Sequence, residues 1–144
     1  MQKTMQSKYK AIIFDFQGVL DVDFVESKRV LEYIKNKGIS AAIGSNLKHQ
    51  TVLSYAEQYG LQEMVDVIVG IDDVEYMAKP APEIFLLCAT YLQLESSECL
   101  VVGDSISDCD AARYANMDFV GIFGVRFPQE IQVVQGLEQI IELL

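Results

Sequence analysis

Residues 10–20, Lys-Ala-Ile-Ile-Phe-Asp-Phe-Gln-Gly-Val-Leu, decide the fold of this chain. The run from Ala11 to Phe14 has the length and β-branched content of a buried strand, and an acid, Asp15, follows it directly. Gly18 suits a tight turn away from the strand end. Open α/β sheets place their chemistry at the carboxyl ends of buried parallel strands, so Asp15 is a candidate functional residue.

The same alternation of apolar runs and helical spacings continues along the chain. Further strands are predicted at residues 39–44, 65–70, 99–103 and 118–123, with an edge strand at residues 131–134. Helices are predicted at residues 24–37, 47–59, 82–92 and 107–115, the last capped by Ser107 or Asp108, and a short helix is predicted from Leu137. Strands that alternate with helices in this way predict an α/β fold with a doubly wound parallel sheet.

Composition limits the kinds of partner. The chain has 144 residues, of which 51% are hydrophobic, and its net charge is −10. We expect one domain over residues 1–144, with a flexible extension at residues 1–9 that is not a signal peptide. The negative charge argues against nucleic acid or an anionic membrane as partner, and no apolar run approaches about 18 residues. It permits an anionic small substrate, because a bound divalent cation inverts the local field.

The chain has three cysteines, Cys88, Cys99 and Cys109, without zinc-ligand spacing. Buried free thiols are the expected state of such residues. We therefore expect a reducing compartment, the cytoplasm.

Four polar residues lie at or just past predicted strand ends: Asp15, Ser45, Lys79 and Asp104. Right-handed crossovers bring these ends to one edge of the sheet, so the four side chains are expected to converge. A carboxylate, a hydroxyl, a lysine and further acids form a set suited to phosphoryl transfer, which needs positioning and charge neutralisation.

In that site Asp15 would attack phosphorus and form an aspartyl-phosphate. Ser45 and the backbone amide of Asn46 would bind phosphate oxygens, and Lys79 would neutralise developing negative charge.

Asp104 and Asp108, four positions apart, would hold Mg2+ directly or through water. Without a cation these carboxylates and Asp15 would repel one another, and that repulsion is the physical reason to expect a metal.

Four ordered motifs carry a family resemblance: residues 14–20 (Phe-Asp-Phe-Gln-Gly-Val-Leu), 43–46 (Ile-Gly-Ser-Asn), 79–85 (Lys-Pro-Ala-Pro-Glu-Ile-Phe) and 103–108 (Gly-Asp-Ser-Ile-Ser-Asp). Together they resemble the haloacid dehalogenase superfamily, most closely its phosphoglycolate-phosphatase-like and phosphoglucomutase-like branch. The resemblance covers nearly the whole chain from Tyr9 onwards. It implies a Rossmann-like core, magnesium dependence and an aspartyl-phosphate intermediate.

The resemblance also implies residue roles. Asp15 becomes nucleophile and metal ligand, and the backbone carbonyl of Gln17 becomes a second metal ligand. Ser45 and Lys79 bind phosphate. Asp104 is a metal ligand, and Asp108 contacts a metal-bound water or orients the lysine.

Gln17 is a departure from the family pattern, which has an acid two residues after the nucleophile. That acid protonates the leaving oxygen and then activates the hydrolytic water. A Gln amide can hydrogen-bond the leaving oxygen but cannot exchange a proton near neutral pH. Asp21 and Asp23 follow closely, but we expect the intervening loop to carry them out of reach.

The second departure is a missing cap domain. Ser45 follows Asp15 by only 30 positions and Lys79 follows Ser45 by only 34, and predicted core elements fill both intervals. The site is therefore expected to be open. A large substrate or a neighbouring copy in a homo-oligomer would then cover it, or water exclusion is poor and catalysis weak.

The sequence thus predicts a magnesium-dependent hydrolase of phosphate monoesters or acyl phosphates, slowed by Gln17, which acts on a phosphorylated small molecule or an exposed phosphoryl group. The alternative is a catalytically impaired, regulatory protein that binds a phosphorylated ligand. The order of the motifs argues against a response-regulator receiver, and the Asp104 and Asp108 pair argues against a dehalogenase, which needs no metal.

Several other polar residues are expected to be merely solvated. His49 is predicted to lie exposed on a helix, and Asp110 is predicted to be a solvated helix residue. The acids Asp72, Asp73 and Glu75 are predicted to lie on a solvated loop.

Overall fold

The computed structural model describes residues 7–123 and 126–144. Within them, six strands form one all-parallel sheet in the order β3-β2-β1-β4-β5-β6. The strands are β1 (Ala11–Phe14), β2 (Ser40–Gly44), β3 (Val67–Val69), β4 (Cys99–Gly103), β5 (Asp118–Ile122) and β6 (Gln132–Val134). The predicted doubly wound α/β fold is confirmed.

Four α-helices connect these strands: α1 (Phe24–Asn36), α2 (His49–Gln58), α3 (Glu83–Leu92) and α4 (Ile106–Tyr114). Short 3-10 segments lie at Gln62–Met64, Ile71–Val74, Ser96–Glu98 and Leu137–Leu143. The strand predictions are correct to within two residues at most ends. The third strand shows the largest difference: it is predicted at residues 65–70, but only Val67–Val69 pair with a neighbouring strand.

Along β1, successive side chains point to opposite faces of the sheet and contribute to the core on both sides. Ile12 and Phe14 point to the face covered by α1 and α2, whereas Ala11 and Ile13 point to the face covered by α3 and α4. All four residues are fully buried, as expected of a central strand covered on both faces. This run therefore forms the centre of the sheet.

The strand order reverses between β1 and β4, the two central strands, which lie side by side. Doubly wound sheets bind ligands at this switch point, outside the carboxyl ends of the strands. Asp15 follows β1 and Asp104 follows β4, so the fold brings both acids to the switch point.

The start of α4 differs from the prediction. Ser105, rather than Ser107 or Asp108, is the N-cap, and its hydroxyl accepts a hydrogen bond from the Asp108 backbone amide. The cap therefore lies two residues before Ser107 and three before Asp108, and Asp108 lies inside the first turn of the helix. The position of the cap fixes the direction of the Asp108 carboxylate.

No domain is inserted between the described strands β1 and β2. The interval contains a single turn at Phe16–Leu20 and helix α1, whose N-cap Asp23 accepts hydrogen bonds from Val25 and Glu26.

The segment ahead of β1 is anchored at its end. The Tyr9 hydroxyl donates to Asp118 at 2.6 Å, and Lys8 forms an ion pair with the same carboxylate. Residues 1–6 of the predicted extension lie outside the described residues.

Cys88, Cys99 and Cys109 are all free and buried, as predicted. Among the described residues, no helix combines the length and apolar character that crossing a membrane requires.

Candidate active site

Asp15 lies at the carboxyl end of β1 and is 9% exposed. Its backbone amide donates to the carbonyl of Val102 on β4 at 3.0 Å, which extends the pairing of the two strands. One carboxylate oxygen, Oδ1, accepts from the Phe16 amide at 2.8 Å and from the Lys79 ammonium at 3.0 Å. The other oxygen has no hydrogen bond within the described residues and is available to a ligand.

Lys79 connects the loops of the site through three hydrogen bonds. Its side chain is buried, and Nζ donates to Asp15, to Asp108 at 2.7 Å and to the carbonyl of Gly44 at 2.8 Å. An ammonium group has three hydrogens, so all of them have acceptors. Burial opposes the charge of Lys79, but the two carboxylates raise its pKa above the ordinary value, and the side chain stays positive.

Ser45 and Asn46 follow β2 directly. Ser45 is buried, and its hydroxyl oxygen accepts from the Leu47 amide at 3.0 Å, which leaves the hydroxyl hydrogen to donate to a ligand. The Asn46 side-chain oxygen accepts from the Lys79 backbone amide at 3.0 Å. Asn46 therefore holds the lysine loop in place, a role that the sequence did not indicate.

Asp108 is oriented by its own helix. The Ser105 hydroxyl donates to Asp108 Oδ2 at 2.9 Å, while Oδ1 pairs with Lys79. The carboxylate is 1% exposed and has a partner on each oxygen. The spacing Ser-Ile-Ser-Asp at residues 105–108 resembles a capping box, but Ser107 and Asp110 have the same spacing, so the sequence alone does not select between the two serines.

Asp104 is packed against the turn after β1. Gly18 has φ +76°, and a Cβ built on it would lie 1.9 Å from Asp104 Oδ2. Any side chain at this position would both strain the backbone and displace the carboxylate. Gly18 therefore creates the space that Asp104 occupies.

Asp15, Asp104 and Asp108 offer carboxylate oxygens that all lie within 4.8 Å of one another. When ionised they carry three negative charges against the single positive charge of Lys79. Burial raises the pKa of the Asp15 carboxyl, against the influence of Lys79, and burial followed by the Asp108 charge raises that of Asp104. The surplus of two negative charges and the hard oxygen donors fit a divalent cation such as Mg2+.

Gln17 lies exposed in the turn Phe16–Leu20 and lines a small pocket that Asp21 also lines. The Asp21 carboxylate accepts from the Gly18 amide at 2.7 Å. That Asp21 lies out of reach of the leaving oxygen stays a prediction. Asp23 instead caps α1 and has no contact with the site among the hydrogen bonds of the described residues.

His49 and the acidic loop are more structured than predicted. His49 Nδ1 lies 2.7 Å from Asp73 Oδ2, which also accepts from the Gly70 amide. Asp72 accepts from the His49 backbone amide at 2.8 Å, and this hydrogen bond holds the pKa of the exposed Asp72 carboxyl below its ordinary value. Asp72 and Asp73 therefore connect the start of α2 to the loop after β3, and they are not merely solvated.

A groove lined by described residues lies away from this site. It measures about 650 Å3 and runs between α1 and the C-terminal 3-10 segment, lined by residues such as Arg29, Tyr33 and Glu142. None of the converging site residues lines it. The chemistry of the side chains, rather than the size of a cavity, identifies the candidate site.

The chain matches one known protein family and resembles several known proteins. The family described as haloacid dehalogenase-like hydrolase matches residues 1–122. The chloroplastic protein Suppressor of Quenching 1 of Arabidopsis thaliana is 34% identical over 102 residues, 70% of this chain and 10% of that protein. A phosphoglycolate phosphatase of Pectobacterium atrosepticum is 31% identical over 113 residues, 78% of this chain and 48% of that protein.

The chain spans about half the length of the curated relatives it matches, or less. A crystal structure of a HAD-superfamily hydrolase from Ehrlichia chaffeensis superimposes with a TM-score of 0.80 at 19% identity, covering 96% of this chain and 99% of that one. At this identity the superposition shows the shared fold.

Proposed function

The chain belongs to the haloacid dehalogenase-like hydrolases, and from this premise we propose that it is a magnesium-dependent hydrolase of phosphate monoesters or acyl phosphates. The observation that carries the proposal is the contact of Lys79 Nζ with both Asp15 and Asp108, at 3.0 and 2.7 Å, beside the cluster of three acids. This arrangement provides a nucleophile, a fixed positive charge and a cation site within one small volume.

In the proposed reaction, the Asp15 carboxylate attacks phosphorus and the bond to the leaving oxygen breaks. The product is an aspartyl-phosphate, which water then hydrolyses to regenerate Asp15. The Ser45 hydroxyl and the Asn46 backbone amide hold the phosphoryl oxygens. Lys79 exchanges one of its three acceptors for a phosphoryl oxygen and neutralises the charge that develops there.

The residues that would hold Mg2+ are Asp15, the backbone carbonyl of Gln17, Asp104 and Asp108. When bound, the cation offsets phosphate and carboxylate charge together. Because Lys79 and Ser105 already occupy both Asp108 oxygens, Asp108 acts mainly by orienting Lys79 and by accepting from a metal-bound water. Asp15 and Asp104 then carry the direct carboxylate ligation.

Gln17 should make this hydrolase slow. A general acid–base group typically contributes about 10²–10⁴-fold in rate, and the Gln17 amide can supply only a hydrogen bond. We expect the best substrates to be acyl and aryl phosphates, whose leaving groups depart without a proton.

Restoring an acid at position 17 tests this proposal. With magnesium present, Gln17→Asp should raise the turnover of a simple alkyl phosphate by about 10²-fold or more. The matched control is Gln62→Asp, which introduces the same charge at an exposed position outside the site. Inorganic phosphate release measures both.

A second variant shows whether the released phosphate comes from this protein or from a contaminating phosphatase. Asp15→Asn should abolish phosphate release in the Gln17→Asp background while leaving the melting temperature within a few degrees. Turnover that survives the loss of Asp15, or a Gln17→Asp variant no faster than the parent, contradicts the proposed mechanism.

The alternative function is binding of a phosphorylated ligand without turnover. It is favoured by one observation: Asp15, Lys79 and Asp108 keep their full contact network, whereas Gln17 offers no proton carrier. Mass spectrometry after exposure to acetyl phosphate distinguishes the two. An Asp15 adduct that disappears with time indicates the hydrolase, a persistent adduct indicates a switch, and no adduct indicates a binding protein.

Phosphatase names among the relatives support a phosphorylated small molecule as the ligand class. The three free buried cysteines support a reducing compartment such as the cytoplasm. A homo-oligomer in which a neighbouring copy covers the open site is part of the same proposal.

A further inference from the structure

A second pocket adjoins the candidate active site on the side of α2. It has a volume of about 230 Å3 and is lined by Phe16, Gln17, Asp21, Phe24, Leu47, Tyr55 and Tyr59. None of these side chains takes part in the Lys79 network.

The position of the pocket follows from the topology. Gln17 is the second residue after Asp15, and Leu47 is the second after Ser45, whose hydroxyl oxygen accepts from the Leu47 amide at 3.0 Å. Their strands, β1 and β2, are neighbours in the sheet. The pocket therefore lies between the loops that carry the nucleophile and the phosphate-binding hydroxyl.

Aromatic rings form most of the pocket wall. Tyr59 stacks on Phe24 with ring centroids 3.7 Å apart and planes 5° apart, and Tyr55 lies against Phe16 at 5.7 Å and 24°. Tyr55 and Tyr59 remain 43% and 41% exposed. Two flat rings left accessible beside a reactive site suit the stacking of another ring, which is worth about 0.5–1.5 kcal/mol beyond burial of its area.

The polar part of the pocket is acidic. Asp21 is one of the lining residues and its carboxylate accepts from the Gly18 amide, and the chain as a whole carries a net charge of −10. A second negative group on a ligand would be repelled here, whereas the Gln17 amide can hydrogen-bond a neutral polar atom. The volume is below the range of about 300–1,000 Å3 typical of pockets for drug-sized ligands, so one ring fits it best.

We propose that this pocket binds the leaving group of the substrate and selects phosphate compounds whose leaving group is a single, uncharged aromatic ring. The inference rests on the proposed function, because the phosphoryl group must lie between Asp15, Ser45 and Lys79 for the ring to reach the pocket. In a chain with no cap between β1 and β2, the core itself then contributes the contacts that distinguish one substrate from another.

Phosphonates that cannot be hydrolysed test the inference by binding alone. Titration calorimetry with excess magnesium would compare methylphosphonate, phenylphosphonate and 4-carboxyphenylphosphonate. We expect phenylphosphonate to bind about tenfold more tightly than methylphosphonate, which corresponds to about 1.4 kcal/mol. The 4-carboxy compound should lose most of that gain.

Variants assign the gain to the pocket. Tyr55→Ala and Tyr59→Ala should each reduce the phenyl-to-methyl affinity ratio toward one while leaving methylphosphonate affinity unchanged. Tyr91→Ala, which removes a 58% exposed tyrosine from α3 on the opposite face, is the matched control and should keep the ratio. Because all three tyrosines are partly exposed, the variants should remain folded, and circular dichroism verifies this.

The outcomes distinguish a failure of the ring-binding pocket from a failure of the phosphoryl-binding site. If all three phosphonates bind the parent alike, or if the tyrosine variants keep the tenfold ratio, the pocket inference is overturned and the proposed function stands. If no phosphonate binds at all, the proposed function fails and the inference fails with it.

Discussion

Among the three clustered acids Asp15, Asp104 and Asp108, Asp104 is the one whose charge is least compensated. Lys79 pairs with Asp15 and Asp108, whereas Asp104 has no ion pair among the described residues and faces both carboxylates. Sites of this kind hold mutual repulsion in the metal-free protein because function needs the charges together.

Removing that charge should stabilise the metal-free protein. We expect Asp104→Asn to raise the melting temperature by a few degrees in EDTA, since about 1 kcal/mol corresponds to about 3–4 °C for a domain of this size. The same variant should lose most of the stabilisation that magnesium gives the parent. Asp110→Asn on α4 removes one charge outside the cluster and serves as control. A metal-free Asp104→Asn protein that melts below the parent would contradict this account.

Asn46 should act on catalysis through the lysine loop. Asn46→Ala removes the acceptor of the Lys79 backbone amide and should cost about 0.5–1.5 kcal/mol of stability, together with a reduced affinity for inorganic phosphate. Asn46→Asp keeps an acceptor oxygen and should recover the stability. If the Ala and Asp variants melt alike, the hydrogen bond does not hold the loop.

At the scale of elements, the N-terminus of α4 offers a direct test of the observed cap. Ser105→Ala removes both the cap and the hydrogen bond that orients Asp108, and it should cost about 1–2 kcal/mol. Ser107→Ala, at one of the two cap positions predicted from the sequence, should stay within about 0.5 kcal/mol of the parent. Urea denaturation of the two variants decides between the positions, and equal losses would contradict the structural assignment.

The elements differ in how well the sequence predicts them. β1 and β4 were predicted to the residue, because a run of four or five apolar residues that ends in an acid has few alternative interpretations. The start of α4 was missed, because serines at positions 105 and 107 are equivalent as caps by residue type alone. Only the orientation of the Asp108 side chain, a tertiary feature, distinguishes them.

At the scale of the whole molecule, the residues that converge could be predicted, but their partners could not. Alternating strands and helices require Asp15, Ser45, Lys79 and Asp104 to meet at one edge of the sheet. The contact of Asn46 with the Lys79 amide spans 33 positions, and that of His49 with Asp73 spans 24. Such pairs depend on loop conformations after the strands, which neither periodicity nor capping rules specify.

The pH dependence of magnesium stabilisation tests the electrostatics of the whole domain. Burial raises the pKa of the Asp15 and Asp104 carboxyls in the folded protein, whereas unfolded aspartates titrate near about 3.9. Below about 3.9 both states are protonated and these groups contribute nothing. As the pH rises from there to the raised folded pKa values, the unfolded state ionises first, so the metal-free protein loses stability.

Magnesium requires the ionised carboxylates, so its stabilising effect should grow over the same range of pH. With magnesium at about one hundred times its Kd, the gain at neutral pH should approach about 2.7 kcal/mol, and near pH 4 it should nearly vanish. The pKa of Asp118 is lowered by the Tyr9 hydrogen bond, so the stability that Asp118 contributes to the folded protein falls as the pH falls. This contribution is the same with and without metal, so it cancels in the difference. Thermal melts at paired pH values, with and without magnesium, measure that difference in the parent and in Asp104→Asn. A magnesium shift that is independent of pH, or that persists fully in Asp104→Asn, would place the cation outside the cluster of Asp15, Asp104 and Asp108.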